Sequence, residues 1–180
     1  MTGLRRRRPY LAVTALVVVV DQVTKWLVSR SLELHEYRPL VDGLLSLSHV
    51  RNRGAAFGIL SDADIPYQAV LFSVLSLAAL LAIAVYAWRL PEAARLPQAA
   101  LALILGGAIG NLVDRVRLGY VVDFVHVYWR EHQWPDFNAA DSAITVGVTL
   151  LVLDILRSPH AESTGKPEMA EAASPAGRTD

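Results

Sequence analysis

The sequence contains no cysteine. That excludes disulfides, thiolate metal sites, a cysteine nucleophile and a lipid carried on the chain's own thiol. Charge is scarce too. Charged residues make up 19% of the chain, against about 25% in an average soluble domain, and 17 basic side chains balance 17 acidic ones. The basic residues are not interleaved with aromatics on one surface, so nucleic acid is not an expected partner. Three catalytic signatures are missing: the G-x-S-x-G elbow of a serine nucleophile, the H-E-x-x-H zinc helix and the G-x-x-x-x-G-K-[ST] phosphate loop. The five histidines are scattered. His126 and His132, near Asp123, give only a weak metal signal, and no internal repeat is visible.

What is present is apolar. Hydrophobic residues are 53% of the 180, mean hydropathy is +0.35, and the apolar residues are clustered. Four segments approach the ~20 residues that a spanning helix needs: about 10–28, 66–88, 96–113 and 143–156, the last short and carrying Asp154. Arg5 to Arg8 followed by Leu11 to Val20 also fits the start of a secretory signal peptide, and paired arginines fit a twin-arginine signal loosely. No small-x-small cleavage site follows, and three more spans do, so an uncleaved first helix is expected. Four spans put both termini on one side. Arg5 to Arg8, Arg89, Arg95 and Arg157 mark that side as cytoplasmic, although Arg30, Arg38, Arg51, Arg53, Arg115, Arg117 and Arg130 fall on the other. The fold class expected is an α-helical integral membrane protein: four transmembrane helices, a small extracytoplasmic strand-containing segment and cytoplasmic termini. Residues 44–50 alternate weakly, as a short strand does, and 120–128 read as a strand or a surface-lying segment. Residues 1–157 form the membrane domain; 158–180, rich in Pro, Ser, Gly, Glu and Ala, read as a disordered cytoplasmic tail.

Ionisable groups in hydrocarbon cost at least ~2.5–3.5 kcal/mol each and need a partner or a purpose. Asp21 and Lys25, at i and i+4 in the first span, fit a structural ion pair near its outer end. Asn52-Arg53-Gly54-Ala55-Ala56-Phe57-Gly58 reads as a tight turn after the first strand, or as a substrate-facing loop with Asn52 as its polar handle. Gly106 and Gly110 make a small-xxx-small face ending the third span. Asn111, Asp114 and Arg115 follow, as an interfacial anchor or as a site in which Arg115 holds a substrate carbonyl and Asn111 orders the rest. Asp123 is a lone carboxylate in an apolar stretch. Asp141 opens the fourth span, where it reads as the N-cap or as a first-turn acid favoured by the helix dipole. Asp136 needs no more than an exposed turn role. With serine, cysteine and zinc-helix chemistry unsupported, carboxylates are what remains. Two held together share a proton: the ionised member can take a proton from attacking water, and the protonated one can polarise a peptide carbonyl and then protonate the leaving amine.

Four blocks then carry a resemblance: Asp21-Gln22-Val23-Thr24-Lys25; Asn52 through Phe57; Gly106 through Arg115; and Val121-Val122-Asp123-Phe124 with Phe137-Asn138-Ala139-Ala140-Asp141. In this order and between these spans, the chain resembles the bacterial signal peptidase II family of lipoprotein signal peptidases over about 10–156. The resemblance implies an aspartyl endopeptidase of the cytoplasmic membrane, its site toward the extracytoplasmic side. It implies cleavage of diacylglyceryl-modified prolipoproteins just before the lipidated cysteine, with substrate and membrane lipid as partners and no required cofactor or metal. It puts the catalytic pair on Asp123 and Asp141. Asp114, Asn52, Asn111, Arg115, Asn138, Asp21 and Lys25 become supporting residues, and Asp114 gives up the catalytic place that its motif suggests. Two other readings compete. A proton-coupled transporter would spread its charges through membrane depth, whereas here they gather toward one side. A membrane scaffold would leave the clustered Asn, Asp and Arg without a role.

Overall fold

Each apolar run becomes a helix, because a chain in hydrocarbon must satisfy its backbone N–H and C=O groups internally. The computed structural model describes residues 2–54 and 67–157, with side chains from Arg7 onward. In chain order the elements are α1 (Thr2–Ser31), β1 (Tyr37–Val41), β2 (Leu45–Asn52), α2 (Gln68–Arg89), α3 (Arg95–Leu118), β3 (Val121–Trp129), β4 (His132–Gln133) and α4 (Ala139–Arg157). Among the described residues four helices are long and apolar enough to cross a membrane, from Arg7–Ser31, Gln68–Arg89, Arg95–Leu118 and Ala139–Arg157. The expected tail, 158–180, lies outside the described residues, as do 55–57 of the second block.

The bundle is organised around α3, which packs against α1, α2 and α4. Small residues permit this. A side chain at Gly106 would meet Val17 of α1, and one at Gly110 would come within 2.5 Å of the Asp21 carboxylate. Gly107 faces the other way, onto the Ala140 carbonyl of α4, and Gly147 of α4 sits against the Ala100 carbonyl of α3. The small-xxx-small face therefore meets α1, and the intervening glycine serves α4. Close backbone approach of this kind replaces the hydrophobic drive that lipid cannot supply between helices. Away from the site, the Arg7 guanidinium donates to the Ala87 (2.8 Å), Trp88 (3.0 Å) and Leu90 (3.1 Å) carbonyls. Those are orphan acceptors at the end of α2.

At the opposite end of the bundle the strands form an antiparallel sheet in the order β1-β2-β3-β4. β2 runs against β3 from Leu45–Val127 to Asn52–Val121, with an irregularity between Leu47 and Val50. That break in alternation buries both Ser48 and His49. Val28 and Leu32 of α1 pack with Phe124 of β3, joining the sheet to the bundle.

Several element ends differ from expectation. α3 continues past Val113 to Leu118, so Asp114 and Arg115 are helical. Gly119, in the left-handed conformation at φ 79°, stops it. α4 starts at Ala139, a turn before residue 143, which places Asp141 inside its first turn. Residues 121–129 form a strand, and Asn52 is the last residue of β2 rather than part of a following turn. The β1 strand, exposed along its whole length, had no apolar alternation to announce it.

Candidate active site

Asn138 organises the site. It caps α4 by accepting the Asp141 backbone N–H on Oδ1 (2.9 Å), and its own backbone N–H donates to Asp141 Oδ2 (3.2 Å). This is the reciprocal capping box, with aspartate in the third helical position. The N–H of Ala140, another orphan of the first turn, donates to Asp21 Oδ1 of α1 at 2.9 Å. One carboxylate from α1 and one from α4 itself thus settle the helix start. Asn138 Nδ2 meanwhile donates to Asp123 Oδ1 at 2.6 Å. The residue that caps α4 therefore links the two carboxylates.

Asp123 is 2% exposed. Its second oxygen accepts from Asn52 Nδ2 at 3.0 Å, and Asn52 is held by accepting the Gly54 N–H at 2.9 Å. Asp141 Oδ1 accepts from Asn111 Nδ2 at 2.8 Å. Each oxygen of the pair thus meets one N–H donor, which fixes both side chains and leaves lone pairs for a proton and a substrate. Burial lifts the Asp123 carboxyl from its ordinary 3.8 to about 7, and the nearby Asp141 charge adds to the rise. The Asn52 and Asn138 donors pull the other way. Two carboxylates whose charges disfavour one another in a dry setting form the arrangement that shares a proton.

Behind the pair lies a second, fully buried layer. Lys25 Nζ sits 2.8 Å from Asp21 Oδ2 and 3.0 Å from Asp114 Oδ2, and donates to Asn111 Oδ1 at 2.9 Å. Asp114 also accepts from Gln22 Nε2 at 2.9 Å and from the Val122 backbone N–H at 3.2 Å. Asp114 is therefore occupied in tying α1, α3 and the start of β3 together. Gln22 donates as well to the Gly110 carbonyl at 3.2 Å; its signal in the sequence is a polar side chain inside a span. Arg115 Nη2 donates to the Gly54 carbonyl at 3.1 Å, while its buried Nε has no partner among the described residues.

A cavity of about 280 Å³ opens onto these groups. It is polar at one end, with Asn52, Asn111, Arg115 and Asp141, and apolar at the other, where Phe72 of α2 and Ile144 of α4 face it. A second cavity of about 320 Å³, lined by Trp134, Phe137 and Thr145, reaches Asp141 from its other side. The sheet's far corner holds one correction. Asp136 is not an exposed turn residue: its side chain is 16% exposed and accepts from Ser48 Oγ at 2.5 Å. His126 Nδ1 lies 3.3 Å from the same Asp136 oxygen but off hydrogen-bond geometry. His126 thus faces Asp136, on a part of β3 away from the Asp123–Asp141 pair, and no group of metal-ligating residues assembles among the described residues.

Fold and site define a class: a multi-pass membrane protein with a buried carboxylate pair set into one end of its bundle. Known proteins narrow it. The family model described as signal peptidase (SPase) II matches residues 13–157. The lipoprotein signal peptidase of Geobacter metallireducens is 50% identical over 156 residues, covering 87% of this chain and 95% of that one. The lipoprotein signal peptidase of Acinetobacter baylyi is 46% identical over 147 residues, 81% and 80% of the two chains. A bacterial membrane enzyme solved by the in meso method at 2.3 Å resolution superposes with a TM-score of 0.76 at 29% identity, covering 88% of this chain and 93% of that one. The chain belongs to the signal peptidase II family and is a protease.

Proposed function

We propose that this protease removes signal peptides from diacylglyceryl-modified prolipoproteins, cutting just before the lipidated cysteine, with Asp123 and Asp141 as its catalytic pair. The observation that carries the reading is the pair itself: two carboxylates linked through Asn138, of which Asp141 lines the polar end of a cavity that continues between apolar helices. Asp123, whose carboxyl is lifted to about 7 by burial and by the Asp141 charge, serves as the acid that polarises the scissile carbonyl and later protonates the leaving amine. Asp141 takes the proton of the attacking water. Arg115, which lines the cavity and whose Nε has no partner among the described residues, is the group we assign to a substrate carbonyl. Asn52, Asn111 and Asn138 hold the pair in place, and Asp21, Lys25 and Asp114 support them from behind.

The substrate's acyl chains stay in the bilayer, so its scissile bond is held at the interface. A site at the end of the spans meets it there. We place that end outside the cytoplasmic membrane, because Arg7, Arg89, Arg95 and Arg157 collect at the other end of the bundle. Residues 1–157 are the catalytic unit in this reading.

The test uses purified protein and a prolipoprotein with and without its diacylglyceryl group. Only the lipidated form should be cut. Asp123→Asn and Asp141→Asn should each lower the rate by about 10²–10⁴-fold, the usual worth of a general acid or base, while the protein still elutes as a folded species. Full activity in either variant would sink the assignment. Asp114→Asn is read beside its thermal unfolding, since its loss would act through folding.

A further inference from the structure

Three arginines at the sheet end of the bundle take no part in the site. Arg51 of β2 stacks over the Tyr120 ring, 4.7 Å from its centroid, and Arg30 stacks over Trp26 at 4.5 Å. Arg117 lies in the last turn of α3. Arg51 and Arg117 line one cavity of about 270 Å³, together with Trp26, Ser29, His49 and Tyr120. Lys25 and Asp114 also line it, as part of the buried cluster in which Lys25 pairs with both Asp21 and Asp114. Neither Arg51 nor Arg117 has a carboxylate partner among the described residues. The cavity therefore presents two guanidinium groups that no carboxylate contacts among the described residues. It shares no lining residue with the cavity at Asp141: Val122 faces this one, and its strand neighbour Val121 faces the other.

Its setting says what those charges meet. Trp26 is 53% exposed on α1, beside the exposed Leu118 of α3. Tryptophan and tyrosine at the end of a span mark the level of lipid head groups. A guanidinium fork matches the oxygens of a phosphate, and a wet mouth flanked by apolar helix surface matches a head group with its chains still in the bilayer. Complementing the α3 dipole would account for Arg117 alone, but not for Arg51 directed into the same cavity from the sheet.

We propose that this cavity binds the phosphodiester head group of an anionic phospholipid, in the leaflet at the sheet end and separately from the substrate. Arg51 and Arg117 hold the phosphate, and Trp26 and Tyr120 flank the glycerol region. The site ties the sheet to the membrane surface at a corner away from the catalytic cavity.

Native mass spectrometry of the detergent-purified full chain tests this, with phosphatidylglycerol and phosphatidylcholine of the same acyl chains. Phosphatidylglycerol should bind in preference. Arg51→Gln with Arg117→Gln should weaken it by at least about tenfold, from the ~1 kcal/mol that each basic residue contributes near an anionic membrane. Arg89→Gln with Arg95→Gln, at the opposite end, should leave it unchanged, and inorganic phosphate should not displace it. Should the double variant fail to elute as a folded species, Arg117→Gln alone carries the test, with a loss of about fivefold. Equal binding of the two lipids would overturn the proposal. So would full binding by the Arg51/Arg117 variant, an equal loss in the Arg89/Arg95 variant, or displacement by phosphate.

Discussion

Asp123 is one of the two carboxylates proposed as catalytic, and its protonation sets two measurable consequences. The group titrates near 7 in the folded protein and near 3.8 when freely solvated. If it acts as the acid, it must carry its proton, so kcat/KM should fall as pH rises through about 7; a rate that climbs steadily to pH 9 would give the acid role to another group. Stability has the same sign. A raised folded pKa means that folding favours the protonated form, a contribution fully present below about 3.8 and lost as pH rises through about 7. Asp123→Asn cannot ionise, but its single amide oxygen can accept from only one of Asn52 and Asn138, and its NH2 then faces the other donor, a fixed cost at every pH. Its margin in unfolding temperature relative to the parent should therefore shift in the variant's favour from pH 5 to pH 8, while activity falls by about 10²–10⁴-fold. A thermal-unfolding series across that range measures the margin, and an equal margin at both ends would contradict the assigned ionisation.

At the scale of elements, the contact between α3 and α4 holds Asp141 in place. A Cβ at Gly107 would strike the Ala140 carbonyl, one residue from Asp141, and a backbone group cannot turn aside as a side chain can. Gly107→Ala should therefore push the start of α4 away. Overpacking of this sort costs about 1–3 kcal/mol, and the capping box moves with it. The expected outcome is a lower unfolding temperature and a fall in turnover larger than any change in KM, measured on the lipidated substrate. Unchanged turnover would mean that the helices yield elsewhere. This contact also shows what could be read in advance. Four helices were legible, because ~20 apolar residues permit little else. The Gly106–Gly110 spacing announced a close partner. That the partner was α1, and that Gly107 served α4, depended on which helices neighbour α3, and spacing within one segment carries no such information. Asn138 was similar. The resemblance makes it a supporting residue and the sequence reads the cap onto Asp141, whereas its own cap depends on α4 starting at Ala139, and its reach to Asp123 on β3 and α4 meeting across 15 residues. Asp114 shows the opposite limit. Its motif suggested chemistry, and only Lys25, Gln22 and the Val122 N–H, drawn from two other elements, show its oxygens already engaged.

For the molecule as a whole, the open quantity is its direction in the membrane, and the missing cysteines make it measurable. Arg7 closes the end of α2, and Arg89 and Arg95 flank the short turn beside it, so positive charge gathers at that end. The sheet end also holds arginines, but Arg115 is engaged with the Gly54 carbonyl, and Arg30 and Arg51 stack on aromatic rings. Arg7 is committed in the same way to the α2 carbonyls, so the orientation rests on Arg89 and Arg95 in the short turn. We therefore expect the turn between α2 and α3 to face the cytoplasm and the hairpin between β1 and β2 to face outward. Because the natural chain has no thiol, a single introduced cysteine is its only labelling site. Asp42→Cys, exposed in the hairpin, should react in intact cells with a membrane-impermeant maleimide. Ala93→Cys, exposed in the turn at the other end, should react only after the membrane is opened. The reverse pattern would put the carboxylate pair on the cytoplasmic face. A cleavage site exposed at the outer face would then have no route to the pair, and the prolipoprotein reading would fail even with both aspartates essential.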